Sequence, residues 1–327
     1  MVMIRIFCRL FALIILGIVL LTGSGCQGPS SPKSSESGDL RGTISISGAW
    51  ALYPMTVKWS EEFRKLHPRV RIDISAGGAG KGFTDAVTGM VDLGMFSRGF
   101  SQAELDRGVW YIGVTKDAVI PVVNEYNPFL ALILQRGITR EELQGIYLSR
   151  SIRRWKDLMK IGSDEEIHVF TRSDACGAAE MWAEFLGRHQ ENLLGTGVFG
   201  DPGIASAVKN DPLGMGYNNV NYVFDLQTRR PYPGLAVIPL DLNRNGKIDP
   251  EEDFYMTLDS LNEAIRNGVY PAPPARPLYF VAKAKPENPV VIEFLRWILV
   301  HGQQFVDEAG YVALPDDIIE HELQKLD

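Results

Sequence analysis

Cysteine is scarce in this 327-residue chain. The three residues, Cys8, Cys26 and Cys176, are too few and too dispersed for a disulfide framework to hold a fold. Basic charge is in deficit, with 33 Lys and Arg against 40 Asp and Glu and a net charge of −7, so a broad cationic surface for nucleic acid is excluded. Histidine is rare as well: His67, His168, His189, His301 and His321 fall in separate segments, which argues against a His-centred catalytic group. No Gly-x-Ser-x-Gly elbow, His-Glu-x-x-His or Cys-x-x-Cys occurs, and Gly77-Gly-Ala-Gly-Lys-Gly82 fails the nucleotide-loop pattern Gly-x-x-x-x-Gly-Lys-[Ser/Thr]. The chain is therefore read as a binder, not an enzyme. Hydrophobic residues make up 45%, enough for a core stabilised without disulfides over one large or two ordinary domains.

The amino terminus reads as a processing signal. Met1–Leu10 carries Arg5 and Arg9 and no acid, then runs into the apolar stretch Phe11–Leu21, the n-region and h-region of a secretory signal. That stretch is well short of the roughly 20 residues that a bilayer-spanning helix requires. Thr22-Gly-Ser-Gly-Cys26 resembles the lipobox of bacterial lipoproteins, with Gly23 where Leu is usual. The resemblance implies a signal over residues 1–25, lipid on Cys26 and a chain held on the periplasmic face of the cell membrane or outer membrane. A plain cleaved signal with an incidental Cys26 is the simpler alternative. Residues 26–40, rich in Gly, Ser and Pro, read as a flexible tether.

Beyond the tether, short apolar strands alternate with longer amphipathic stretches. Strands are expected at Thr43–Ser47, Val70–Ser75, Val91–Met95, Ala118–Val123, Ile167–Phe170, Gly214–Tyr217 and Leu278–Ala282, with helices at Tyr53–His67, near Phe83–Thr88, at Thr139–Tyr147, from Gly177, at Leu258–Asn267 and from Pro289 to about Gly310. This order predicts an α/β fold with mainly parallel sheets flanked by helices. The turn-rich Asn124–Pro128 is expected to lead into a second lobe. Residues 41–123 and 236–327 would then form lobe 1, and residues 124–235 lobe 2.

Three strand-to-helix loops place backbone N–H groups where an anion is favoured: Ser47–Pro54, Ser75–Gly82 and Thr171–Ala178. Together with Gly89–Arg98, the Arg-Ser-Asp-x-x-Gly run around Asp174, Gly214-Met-Gly-Tyr217 and Gly310-Tyr-Val-Ala-Leu-Pro315, they resemble the periplasmic phosphate-binding proteins of ABC phosphate importers. The resemblance implies a two-lobed, type II-like periplasmic-binding-protein clamp, a monomer that closes on an inorganic oxyanion and passes it to an ABC importer permease. Another oxyanion (sulfate, molybdate, tungstate), or a sensing or adhesion role on the same fold, remains an alternative. The resemblance assigns ligand contact to Ala51, Leu52, Tyr53, Ala79, Gly80, Ser97, Arg98, Arg172, Asp174, Cys176, Gly177 and Ala178. Arg172 is the expected principal cation, forking onto two anion oxygens, and Asp174 is expected to fix it. The chain departs from the family pattern where hydroxyls are usual: Ala51, Leu52, Ala79, Cys176 and Ala178 replace them. Ser97 stands where the family has an acidic acceptor for a phosphate proton. Arg98 and Lys81 are equally well read as ordinary solvated cations, and Cys176 as a small apolar filler.

A different motif spans Asp241–Glu252. Its Asp241, Asn243, Asn245, Lys247 (through its carbonyl), Asp249 and Glu252 occupy the ligand positions of a twelve-residue EF-hand loop, with Gly246 at the sharp turn and Ile248 at the apolar position. A structural Ca²⁺ ion is expected there, bracing the return from lobe 2. The alternative is a metal-free Asx-rich turn.

Overall fold

The computed structural model describes residues 40–160 and 164–327. The expected signal segment, Cys26 and the tether up to residue 39 lie outside them. Strands β1 (Arg41–Gly48), β2 (Arg69–Ala76), β3 (Leu93–Phe96), β4 (Trp110–Asn124), β5 (His168–Arg172), β6 (Thr196–Val198), β7 (Gly214–Asn219), β8 (Leu235–Val237) and β9 (Ala275–Ala282) join in the order β2-β1-β3-β9-β4-β7-β5-β6, with β8 beside β4. The expected parallel pairings occur in β2-β1-β3 and β6-β5-β7. The longer strands β4 and β9 link these groups antiparallel. The result is an α/β body with strands of both directions.

The first core gathers Ile44, Ile46, Leu93, Met95, Ile112, Val114, Phe280 and Phe294. Against it lies the Tyr53–Leu66 helix, started by Pro54 and burying Met55, Trp59 and Phe63 along one stripe. Each of these large side chains contributes about 1.5–3 kcal/mol by leaving water. The second core gathers Ala118, Val119, Tyr147, Trp155, Trp182, Met215, Tyr217 and Leu261.

The chain passes between cores within two strands, and reaches the second core once more at Val312, between Tyr311 and Leu314 of the first. In β4, Val114 belongs to the first core and Ala118 to the second; in β9, Ala275 belongs to the second and Leu278 to the first. These crossings differ from the expected ones after residues 123 and 235. The cause is that β4 runs unbroken to Asn124 and pairs there with β8, so both expected boundaries fall inside the second core. The last long helix also ends earlier than expected, at Val300. There the Gly302 carbonyl turns to accept the Trp59 indole N–H at 2.9 Å, and a short 3₁₀ turn follows.

Candidate functional site

The three Gly-rich loops meet where the cores abut. The first two belong to one core and are stitched together: Gly77 and Gly78 N–H both donate to the Gly48 carbonyl, at 2.9 and 3.1 Å, and Ala49 N–H donates to Met95 at 2.9 Å. Gly78 adopts φ +90° at the start of the Ala79–Thr88 helix, and a side chain there would run into the Ala175 carbonyl. The third loop starts the Gly177–Phe185 helix in the other core. It reaches the second loop through a long Gly80 N–H to Ala175 carbonyl contact of 3.4 Å. Ser97, 2% exposed just beyond β3, presses its carbonyl and hydroxyl oxygens against the bare Cα of Gly177.

The apolar replacements are accounted for by these positions. Ala51, Leu52 and Ala79 are buried with the first core, and Cys176 and Ala178 with the second. What these segments can offer an anion is main chain. The opening N–H groups of a helix have no partner within it and carry partial positive charge; at the Tyr53 helix they are spent, Tyr53 N–H on the Ala49 and Trp50 carbonyls with Pro54 offering none, so the main-chain donors here are those that open the helices at Ala79 and Gly177. Trp50, beside them, packs edge-on to Phe199 and touches Gly200 of the second core, and Tyr53 lies against Trp50. Cys176 caps its helix, its sulfur accepting the Ala179 N–H at 3.4 Å, a weak version of the role serine fills. Burial pushes its thiol up to about 12, so it is inert as a nucleophile.

Arg172 is the cation at this junction, its side chain 1% exposed. Asp174 takes Nε at 2.8 Å and Nη2 at 2.5 Å, as expected. Asp201, not expected, takes Nη1 at 2.7 Å. A guanidinium has five N–H donors, so one N–H on each terminal nitrogen is left over for an oxyanion. Burial alone would lower the Arg172 pKa, but the charge of Asp201 and the hydrogen bond and charge of Asp174 outweigh it and keep the group cationic. Burial lifts the Asp201 carboxyl above its usual range against the pull of Arg172; at 2.7 Å the ionised pair is the form that serves both groups.

A groove of about 670 Å³ opens at this point, lined among others by Gly80, Arg98, Arg172, Ala175, Cys176 and Gln190. Gln190 straps the third loop, donating to the Asp174 carbonyl at 2.7 Å and accepting Cys176 N–H at 3.1 Å. Arg98 reaches the groove, but its guanidinium is forked onto Glu104 and lies over Phe96. Lys81 pairs with Asp85, one turn along its own helix.

Asp201, Asn219 and Gln190 were missed by sequence reasoning. Gly200-Asp201-Pro202 does carry the signature of a helix start with an acid in its first turn, and the Gly200–Lys209 helix begins there. Nothing local says that this acid meets an arginine 29 positions earlier.

The Asp241–Glu252 loop is docked on the second core through Ile248, whose N–H donates to the Gln135 carbonyl at 3.0 Å. It therefore braces the end of the Leu130–Arg136 helix, not the return crossing at Ala275–Leu278. Asp241 and Glu252 are buried at 4% and 5% exposure. Asp241 accepts Gly246 N–H at 2.9 Å, Asn243 accepts Asn245 N–H at 3.0 Å, and Asn245 accepts Lys247 N–H at 3.1 Å. Each of these oxygens keeps a second lone pair. Lys247 and the amides of Asn243 and Asn245 hold the Asp249 carboxyl down, to about 2. Among the described residues no three His, Cys, Asp or Glu side chains converge to hold a metal, so amide and main-chain oxygens would have to complete any coordination shell here.

A family model described as a PBP superfamily domain matches residues 33–300. The phosphate-binding protein PstS of Staphylococcus epidermidis is 26% identical over 320 residues, 95% of this chain and 90% of that protein. A Clostridium perfringens protein solved with bound phosphate and assigned to phosphate ABC transport superposes with a TM-score of 0.69 at 23% identity, over 84% of this chain and all of that one. An ABC-type phosphate transport receptor from Vibrio cholerae gives a TM-score of 0.61 at 22% identity, over 83% of this chain and all of that one.

Proposed function

The chain belongs to the PBP superfamily, and from that membership we propose that it captures an inorganic oxyanion, phosphate foremost, and hands it to an ABC importer. The observation that carries this reading is the meeting of the helix starts at Ala79 and Gly177 with the N–H donors of Arg172 that its carboxylates leave over. The relatives named for phosphate binding and phosphate transport support it. Binding here is a matter of main-chain donors and one guanidinium, with no catalytic step.

The chemistry of the pocket sets its selectivity. With alanine, leucine and cysteine in place of hydroxyls, the site has Ser97 where the family pattern puts an acidic proton acceptor, and Glu180, which lines the groove, is spent on His189 and Gln190 N–H. The site therefore has little basis for preferring a protonated phosphate over a fully ionised oxyanion. Calorimetric titration of the purified chain should show phosphate binding with sulfate, molybdate or tungstate competing within about tenfold, roughly 1.4 kcal/mol. No heat with any of the four would sink the oxyanion reading.

The protein is further proposed to work outside the cytoplasm as a monomer tethered by lipid on Cys26, which the mass of the peptide beginning at that cysteine checks. Among the described residues no helix is long and apolar enough to cross a membrane.

The loop Asp241–Glu252 is proposed to hold a structural Ca²⁺ ion. Its oxygen donors, from Asp241, Asn243, Asn245, the Lys247 carbonyl, Asp249 and Glu252, suit a hard cation, which would hold the loop closed on the second core. Millimolar Ca²⁺ should raise the melting temperature over that in EDTA by about 3 °C or more, as expected for roughly 1 kcal/mol of linkage in a body this size. Glu252→Gln should abolish the difference. Identical melts of the unaltered chain in Ca²⁺ and EDTA would refute the site.

A further inference from the structure

The charged groups at the junction form a longer series than ligand contact requires. Asp174 holds Arg172 from two residues away in the same loop, but Asp201 comes from a separate helix. The second oxygen of Asp201 accepts the Asn219 side-chain amide at 2.6 Å. The Asn219 oxygen in turn accepts Nη2 of Arg276. Arg276 stands opposite Asp117 across β4 and β9 and forms a loose ion pair with it at 3.3 Å. Exposure along the series is 6% for Arg172, none for Asp201, 1% for Asn219, 4% for Arg276 and 1% for Asp117.

The far end lies in the two strands that cross between the cores. Asp117 falls between Val114 of the first core and Ala118 of the second, and Arg276 between Ala275 of the second and Leu278 of the first. A turn of one core against the other must bend these two strands together with the Val312 segment, which is bridged to Lys116 of β4. Three atoms at this end, Asp117 Oδ1 and Arg276 Nε and Nη1, lack a hydrogen-bond partner although buried. Buried polar groups are expensive unless satisfied, so the crossing end is the under-bonded, adjustable end of the series, whereas Arg172 holds three hydrogen bonds to its carboxylates.

We propose that Asp201 is a positioning residue for the ligand arginine, and that Asn219 couples it to the Asp117–Arg276 pair, so that the pose of Arg172 depends on the setting of the crossing strands. This rests on the oxyanion reading for its purpose, but the coupling itself is observable without any ligand.

The test uses ¹⁵N-arginine NMR of the intact protein, with the Arg172 signals assigned by Arg172→Lys, alongside phosphate titration and thermal melts. Without ligand, the Arg172 terminal N–H protons should exchange slowly. Arg276→Gln touches neither Arg172 nor the ligand groove, yet should speed that exchange at least tenfold and weaken phosphate binding at least fivefold. Asp201→Asn should do the same, and the double variant should be no worse than Asp201→Asn alone, because a chain cut twice is still one cut. Asn219→Ser cuts the same series and serves if Arg276→Gln does not fold. Unchanged Arg172 exchange in Arg276→Gln and Asn219→Ser, or additive losses in the double variant, would overturn the coupling. Tighter anion binding by Asp201→Asn would overturn the positioning role, since it is the result expected if Asp201 merely neutralised charge. If the unaltered chain bound no oxyanion while Arg172 exchange still followed Arg276, the coupling would stand and the oxyanion reading would fall.

Discussion

Arg172→Ala is expected to remove measurable oxyanion binding and to lower the melting temperature by roughly 10 °C. The first effect follows from losing the buried guanidinium at the junction of the loops, the one at Arg98 being committed to Glu104. The second follows from what is left behind, since Asp174 holds Arg172 with both oxygens and Asp201 with one. Removing one partner of a buried ion pair costs about 3–5 kcal/mol because the remaining charge is stranded. At about 2–4 °C per kcal/mol for a body of this size, the shift is large enough for a simple melt. Arg172→Lys should keep much of the stability yet bind weakly, since an ammonium cannot fork. Wild-type melting and binding by Arg172→Ala would contradict the assignment of this residue.

Gly177→Ala is expected to be nearly as damaging to binding while costing less stability. The new methyl would overlap both the carbonyl and the hydroxyl oxygen of Ser97, and Ser97 has no room to retreat at 2% exposure. Overpacking of this kind costs about 1–3 kcal/mol, and the two cores can relieve it by parting. Parting separates the third loop from the first two, so phosphate affinity should fall by roughly a hundredfold, about 2.7 kcal/mol. Adding Ser97→Gly to the same chain removes one of the two obstructing oxygens and should restore part of the loss. Titration and melting of both variants check the pair, and full affinity in Gly177→Ala would show that the close approach is not needed for binding.

Much of this architecture was legible because its causes are local. Alternating apolar residues such as Ile44 and Ile46, the stripe Met55, Trp59 and Phe63 and the Gly-rich loops each state their own structure, and the expected strands and helices are found with boundaries shifted by a few residues, save the strand at Ala118–Val123, which begins at Trp110, and the last long helix, which ends at Val300. Arg172 and Asp174 were readable for the same reason, two residues apart in one loop. The missed features depend on distant parts of the chain. Asp201 finds Arg172 and Arg276 finds Asp117 only after the sheet is assembled, and a cysteine gives no sign that its sulfur will cap a helix. The crossing points were misplaced because a polar, turn-rich segment at Asn124–Pro128 looks like a boundary, whereas the true crossing at Thr115–Asp117 is hidden within a continuous strand.

The pairing of β3 with β9 has a consequence for how the chain reaches its final form. β1, β2 and β3 come early, but β3 is hydrogen-bonded to a strand that begins at Ala275, and the first core also needs Phe294 and Ile298. Closing contacts over so long a loop is slow. A chain delivered amino terminus first therefore cannot complete that core until residues 275–326 have followed. Until then its early strands stay unsealed, with unpaired apolar edges open to mispairing and aggregation.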